Sequence, residues 1–286
     1  MKTLICITTS NRSAAVKALS WKYIELCQRR EGYYFVISLD GQDEATINFC
    51  KKHRIPFIYS EEQEGVGISK NRVLKTFPDF EHYFFIEDDV ELLNDDVFEV
   101  YKETARKLGL HHMSLFPEER IGEPVKEMQV NESFNIIASM YGSAQFNYFT
   151  KKGIDTVGGF HTDFAKYRRF GHTEHSYRFV NSDLAEYPFY VIKECLYGWL
   201  GWNDPVSVTR VKVDTVNRVF IEEHKLIEKK LKYFPIKILS KFYVHKGNDF
   251  GKIQTPRSSL YFRIIFASNI ALINIYRKIK KIGNIK

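Results

Sequence analysis

The chain has only four cysteines, Cys6, Cys27, Cys50 and Cys195, and no two of them form a CxxC pair. That spacing excludes a paired-cysteine zinc site and a dithiol redox couple. It points instead to buried free thiols in a reducing compartment. No window approaches the ~20 apolar residues needed to span a bilayer. The first apolar run, Leu4 to Thr9, is too short for the core of a signal peptide and passes straight into Asn11-Arg12. Together these absences predict a cytoplasmic protein. Internal repeats and low-complexity stretches are missing too, so neither a solenoid nor a disordered tract is expected.

What is present suits a globular protein of one or two domains. Of 286 residues, 44% are hydrophobic and 27% charged. The 17 Tyr and 23 Phe serve core packing and the walls of sugar sites equally well. Charge is unevenly placed. From Lys225 onward 15 Lys and Arg meet only two acids, Glu228 and Asp249, although the whole chain carries just +7. The preceding residues are therefore net acidic. Such a balance speaks to partners rather than to fold.

Strand and helix signals alternate through the first half. Thr3 to Thr8, Tyr33 to Leu39, Pro56 to Tyr59 and His82 to Ile86 are short β-rich runs. Between them, Ala14 to Arg29, Glu44 to His53 and Ile68 to Thr76 carry helical spacing. This alternation predicts an α/β fold with a Rossmann-like, doubly wound, mostly parallel sheet. Ligands of such sheets lie beyond the carboxyl ends of the strands. Asn11, Asp40 and the acids at 87 to 89 all follow strands, so they are expected to converge on one edge. Further on, Asp95 to Leu108 predicts a helix and Pro117 to Glu132 a loop. Phe134 to Ala138 and Ala144 to Phe149 predict strands, with a short helix over Lys151 to Val157.

The strongest local signal is the strand end Glu87-Asp88-Asp89. Three consecutive acids after a buried apolar strand repel one another unless something compensates them. A divalent cation with oxygen ligands would do so, and Mg²⁺ or Mn²⁺ suits carboxylates plus substrate phosphates. A solvated acidic loop is the plain alternative.

These segments resemble the GT-A fold, family-2-type glycosyltransferases, over roughly residues 1 to 200. ITTSNR resembles the family's opening strand and Asn-Arg turn, and VISLDGQD its second strand with the base-contacting Asp. GVGISKNRVLK resembles its Gly-rich stretch, here Gly65, Gly67, Ser69, Lys70, Asn71 and Arg72. FFIEDDVEL resembles the D-x-D strand end. The resemblance implies an inverting transferase acting on a nucleoside-diphosphate sugar, with a saccharide or lipid-linked acceptor, in bacterial surface polysaccharide synthesis. Its nucleotide-sugar residues would be Thr8, Asn11, Arg12, Asp40, Gly67, Lys70, Asn71 and Asp88. Asp89 and Glu87 would hold Mn²⁺ or Mg²⁺. For Lys70 and Arg72 a solvated helix face is the competing reading.

GGFHTDF followed by FGHTEHSYRF resembles the family's acceptor region. An acceptor hydroxyl needs a base to take its proton. The Glu-Asp pair usual there is absent. Spacing back from Arg178 implies Glu174 as the base, with His172 next; pairing of Glu174 with Arg178 or His175 is the structural alternative. A late metal-binding histidine would be His224 or His245. Trp199 and Trp202 suit either a sugar platform or the core.

The chain divides into a nucleotide-sugar half (1–110), an acceptor half of the same domain (111–223) and a basic, largely helical extension (224–286). Thr255-Pro256 is a helix start, and Leu260 to Ile279 is aliphatic and aromatic. This tail suits either peripheral contact with an anionic membrane, at the inner face of the cell membrane, or docking on the catalytic domain or a second copy. Nucleic acid is not expected, because the basic residues interleave with a long aliphatic segment. Two other functions remain open: a catalytically weak nucleotide-sugar-binding module, and a nucleotidyltransferase. Against the latter, Thr8-Thr9-Ser10-Asn11-Arg12 lacks the glycines of a phosphate loop.

Overall fold

The computed structural model describes residues 1–115, 124–143, 145–167, 171–196, 198–202 and 213–247. β1 (Thr3–Thr9) is buried along its whole length and leads through Asn11, in the left-handed region at φ 54°, into helix α1 (Ser13–Arg29). Asparagine tolerates that conformation better than most residues. β2 (Tyr33–Leu39), α2 (Glu44–His53), β3 (Phe57–Ser60), α3 (Val66–Thr76) and β4 (His82–Glu87) follow. Asp43 caps α2 by accepting from the Thr46 amide at 3.2 Å. The chain continues with β5 (Val90–Leu92), α4 (Val97–Leu108), β6 (His112–Leu115), β7 (Pro124–Gln129), β8 (Asn135–Ser139) and β9 (Phe146–Thr150). Then come α5 (Lys151–Val157), α6 (His172–Asn181), β10 (Phe189–Ile192), β11 (Leu200–Trp202), α7 (Val213–Glu228) and β12 (Phe242–His245).

The main sheet has the order β12-β3-β2-β1-β4-β9-β6. Its centre, β3-β2-β1-β4, is parallel; β9, β6 and β12 run antiparallel to their neighbours. The doubly wound α/β expectation holds. Ile5 and Ile7 of β1 face one core with α1, α2 and α4, while Leu4 and Cys6 face a second with α3, α5 and α6. Period-two alternation of side chains divides the strand between these two cores. Two small sheets, β10-β8-β7 and β11-β5, are hydrogen-bonded separately but share the first core.

Two expectations are corrected. The region 117–132 contains β7, an edge strand opened by a proline, in place of a loop. Its residues are almost all exposed, and its three polar residues do not alternate with the apolar ones, so no period-two pattern announces it. The boundary at 223/224 cuts α7, and the described part beyond it is not largely helical. Residues 229–241 form an irregular strap, and β12 then adds to the sheet edge beside β3. Tyr243 stacks on Tyr59 there, with ring centroids 4.9 Å apart. The β-favouring run KFYVH prefers an open sheet edge to a helix. The predicted helix from Thr255 lies outside the described residues. Among those described, no helix is long and apolar enough to cross a membrane.

The strap is locked onto a glycine turn. Gly159 donates to the Phe234 carbonyl at 2.9 Å, and Phe234 donates to that of Val157 at 3.1 Å. Gly158 has φ 77°, and a Cβ there would stand 1.8 Å from the Phe234 oxygen. Gly158→Ala is therefore expected to cost about 3 kcal/mol or more and to unseat the strap. Gly109→Ala is the control, because Gly109 has a similar φ of 67° and nothing within 4 Å. It should cost only the backbone penalty, about 1–2 kcal/mol. Urea denaturation of the two variants checks the difference.

Candidate functional site

Register brings the site together. β1 and β4 pair so that Thr8 stands opposite Glu87, which places Thr9 to Arg12 beside the acids. Arg12 Nη1 binds Asp88 Oδ1 at 2.8 Å, and Thr9 Oγ1 donates to Asp88 Oδ2 at 2.5 Å. Asp88 and Asp89 are each only 5% exposed. Burial lifts the Asp88 carboxyl to about 6, against the opposing pull of Arg12 and Thr9. The sequence reading missed Thr9, although its alternation with Thr8 on a strand end was a usable signal. Thr8 itself turns its hydroxyl to the Ile86 carbonyl at 3.3 Å.

Asp40 sits on the adjacent strand end. Its amide donates to the Thr9 carbonyl at 2.8 Å, which ties the ends of β1 and β2 together. Its carboxylate accepts from the backbone amides of Glu64 and Gly65, each at 2.8 Å, and from Arg72 at 3.2 Å. Asp40 thus shapes the loop that opens α3. Gly65 holds φ 96° at that helix start, a conformation suited to glycine.

The α3 residues are inward, not on a solvated face. Arg72 is fully buried and binds Glu64 at 2.6 Å as well as Asp40. Lys70 is 1% exposed and donates to Asn147 Oδ1 at 3.1 Å. Burial lowers the Lys70 ammonium to about 8, while Glu87 and Cys6 favour its charged form. Asn71 clasps the glycine turn: it donates to the carbonyls of Phe160 and Lys237 and accepts from the Phe160 amide. A Cβ on Gly67 would stand 3.1 Å from the Phe160 Cβ, so α3 packs closely on the same turn.

On the acceptor side Glu174 and Arg178 form a buried pair one helical turn apart, at 2.9 Å and with 1% and 0% side-chain exposure. Burial raises the Glu174 carboxyl and lowers the Arg178 guanidinium, and their contact opposes both shifts. Arg178 also donates to the Val157 carbonyl at 2.6 Å. His175 bonds the Gly158 carbonyl at 3.1 Å and stacks on Phe160 with centroids 4.2 Å apart. His172 is half-buried at the start of α6, and its Nε2 lies 3.2 Å from the Gly142 carbonyl. A carbonyl only accepts, so Nε2 carries the proton and Nδ1 of the neutral ring holds the lone pair. Burial lowers this imidazole below its ordinary 6.5, with Glu223 opposing.

The late histidines stand elsewhere. His245 pairs with Phe57 at the amino end of β3, opposite to the acid edge. His224 turns Nδ1 to the Phe220 carbonyl within α7. Trp199 packs edge-on against Phe134, and its carbonyl accepts from Leu93 and Asn94. The Trp202 side chain lies outside the described residues. Glu223 was missed: it is 2% exposed, on a stripe with buried Val219 and Leu226. An acid at i, i+4, i+7 spacing among apolar residues was the available signal.

Hard carboxylate oxygens at the strand end fit Mg²⁺ or Mn²⁺ completed by phosphate and water. Among the described residues no three His, Cys, Asp or Glu come together as a metal site.

No family model matches the chain, and no curated protein matches it in sequence. Solved structures do resemble it. S. aureus TarS 1-349 in complex with UDP superposes with a TM-score of 0.55 at 14% identity, over 80% of this chain and 65% of TarS. Its complex with UDP-GlcNAc gives 0.53 at 14% identity, over 80% and 66%. The chain thus spans just under two thirds of those TarS chains. A mannosyltransferase from Pyrobaculum calidifontis, in complex with GDP-Man and Mn2+, reaches only 0.44 at 13% identity over 60% and 50%, too low to carry weight. The chain has the GT-A-like glycosyltransferase fold.

Proposed function

We propose that this protein is a glycosyltransferase that moves a sugar from a nucleoside-diphosphate donor to a hydroxyl of a saccharide or lipid-linked acceptor, with inversion, in surface polysaccharide synthesis. One observation carries the reading. In a GT-A-like fold, Asp88 and Asp89 are buried at the same sheet edge as Arg12 and Asp40. The UDP and UDP-GlcNAc complexes of TarS support a uridine donor as the first class to try.

In this reaction the acceptor oxygen bonds to the anomeric carbon as the bond from that carbon to the diphosphate oxygen breaks. The electron pair leaves with the diphosphate. The hydroxyl proton goes to Nδ1 of His172, whose depressed basicity keeps it neutral near pH 7. Glu174 suits the structural role: it is sealed from solvent and held by Arg178. Asp89 with Glu87 would hold a divalent cation that, when bound, neutralises the departing charge. Asp88 keeps Arg12 and Thr9 in place behind them.

UDP-GlcNAc with Mn²⁺ is expected to raise the melting temperature, since ligand at 100 times Kd adds about 2.7 kcal/mol to stability. Asp89→Ala should abolish UDP release and that stabilisation together. An undiminished rate in this variant would remove Asp89 from the metal site.

The two candidate bases separate by opposite phenotypes. His172→Gln should lower kcat by about 10²-fold or more while stability stays within about 1 kcal/mol. Glu174→Gln leaves Arg178 buried without a counter-charge and should cost about 3–5 kcal/mol, with kcat of the folded fraction largely kept. The wild-type profile of kcat/KM should be flat near pH 7. It should fall only below the ordinary imidazole value of 6.5, because the base must be unprotonated and burial lowers its pKa. Steady-state kinetics beside urea titrations read all three. The reverse pattern would make Glu174 the base.

A further inference from the structure

Helix α6 starts without a cap of its own. Its N-cap residue, Gly171, sits at φ 87° and has no side chain to offer. The Gly171 amide instead donates to Glu223 Oε1 of α7, at 3.3 Å. Glu223 is 2% exposed, and α6 and α7 pack directly on one another. A buried carboxylate brought in from a separate helix, at the residue just before His172, is an expensive arrangement for a cap alone. A serine or aspartate at the N-cap would do that work from the surface. The glutamate-aspartate pair expected in this stretch is absent from the sequence.

We propose that Glu223 is the positioning residue for His172: it fixes the start of α6 through the Gly171 amide and sets a negative charge beside the imidazole. This rests on His172 being the base. As His172 accepts the acceptor's proton it becomes an imidazolium, in surroundings that disfavour positive charge. Among the described residues the other groups facing it are Lys70 from α3, His112 from β6 and the Gly142 carbonyl. Lys70 is cationic. Burial lowers His112 to about 3, so it is neutral and offers no compensation. Glu174 of the same helix is committed to Arg178. Among the described residues Glu223 is thus the carboxylate left to offset the developing charge. Its favourable effect on protonated His172 has the matching sign.

Glu223→Gln tests this, because it keeps the shape and an oxygen for the Gly171 amide while removing the charge. The imidazole titration of His172 is followed by NMR in the full-length chain, assigned from the spectrum of His172→Gln. The expected result is a pKa about one unit lower in Glu223→Gln than in wild type, with the urea midpoint nearly unchanged. With UDP-GlcNAc and Mn²⁺, kcat should drop about tenfold or more at constant donor KM, and the acidic limb of the profile should move to lower pH. Glu223→Asp should restore most of both. An unchanged His172 pKa in Glu223→Gln overturns the proposal, as does an unchanged kcat with the limb in place. If His172→Gln retains full activity, the base assignment has failed instead, and the NMR titration still reports whether Glu223 governs His172.

Discussion

The candidate site depends on how carboxylates are kept together at a strand end that water barely reaches. Asp88 and Asp89 are buried just past the apolar Tyr83–Ile86 stretch of β4, and like charges so placed repel strongly. The protein's answer begins with Arg12. Its position is set by the left-handed turn at Asn11 and by the parallel register of β1 on β4. Arg12 and Thr9 together engage both oxygens of Asp88. Without the β1 turn the acids would have to protonate or swing out to solvent. The same turn holds Asp40, whose backbone amide is bonded to Thr9 and whose carbonyl accepts from Ser10 at 2.9 Å. Charge compensation and sheet edge geometry are therefore one constraint.

A second knot joins the halves. Asn71 of α3, Phe160 of the glycine turn and Lys237 of the strap share a set of short hydrogen bonds. From the other side Arg178 and His175 hold the carbonyls of Val157 and Gly158. The turn is thus gripped by α3, α6 and the strap at once. Gly158 and Gly159 are glycines because the strap's backbone passes where a Cβ would be. Glu174 belongs to this knot through Arg178, which explains why a carboxylate at a catalytic-looking spacing is sealed at 1% exposure. α6 thus separates its duties: residues 174, 175 and 178 brace the turn, while His172, at the helix start, bonds the Gly142 carbonyl.

Much of the parallel half was legible because periodicity and strand ends are local. Tyr33–Leu39 and Glu44–His53 match their predicted bounds, and β1 and β4 differ by one residue. Local signals also located the acids and Asp40. What sequence could not carry was the direction of side chains set by distant partners. Lys70, Asn71 and Arg72 are a charged run that fits a solvated face. They are buried because Asn147, the glycine turn and Glu64 lie 77, 89 and 8 residues away and accept them. β7 lacked hydrophobic alternation since it is an exposed edge. The spacing of Glu223 among apolar residues signalled burial, but its partner did not show for the same reason as that of Arg72: Gly171 lies 52 residues earlier.

The disposition of the cations bears on the chemistry. Arg12 and Lys70 were expected among the nucleotide-sugar residues, with Arg72 beside Lys70 in the Gly-rich stretch. Arg12 is paired with Asp88, and Arg72 with both Asp40 and Glu64. Lys70 lies beneath the sheet edge near Glu87, with its basicity reduced. Against these three stand five acids, Asp40, Glu64, Glu87, Asp88 and Asp89. These eight described residues are therefore net negative, and a nucleoside diphosphate bound as proposed would bring more negative charge to them. Coulomb repulsion between such groups at a few ångströms amounts to several kcal/mol at an effective dielectric near 20. If a nucleoside diphosphate binds there as proposed, a divalent cation shared between its phosphates and Asp89 would supply compensating positive charge. The internal pairing of Arg12 and Arg72 thus bears on the proposed metal dependence, because it leaves these two guanidiniums engaged with the protein's own acids.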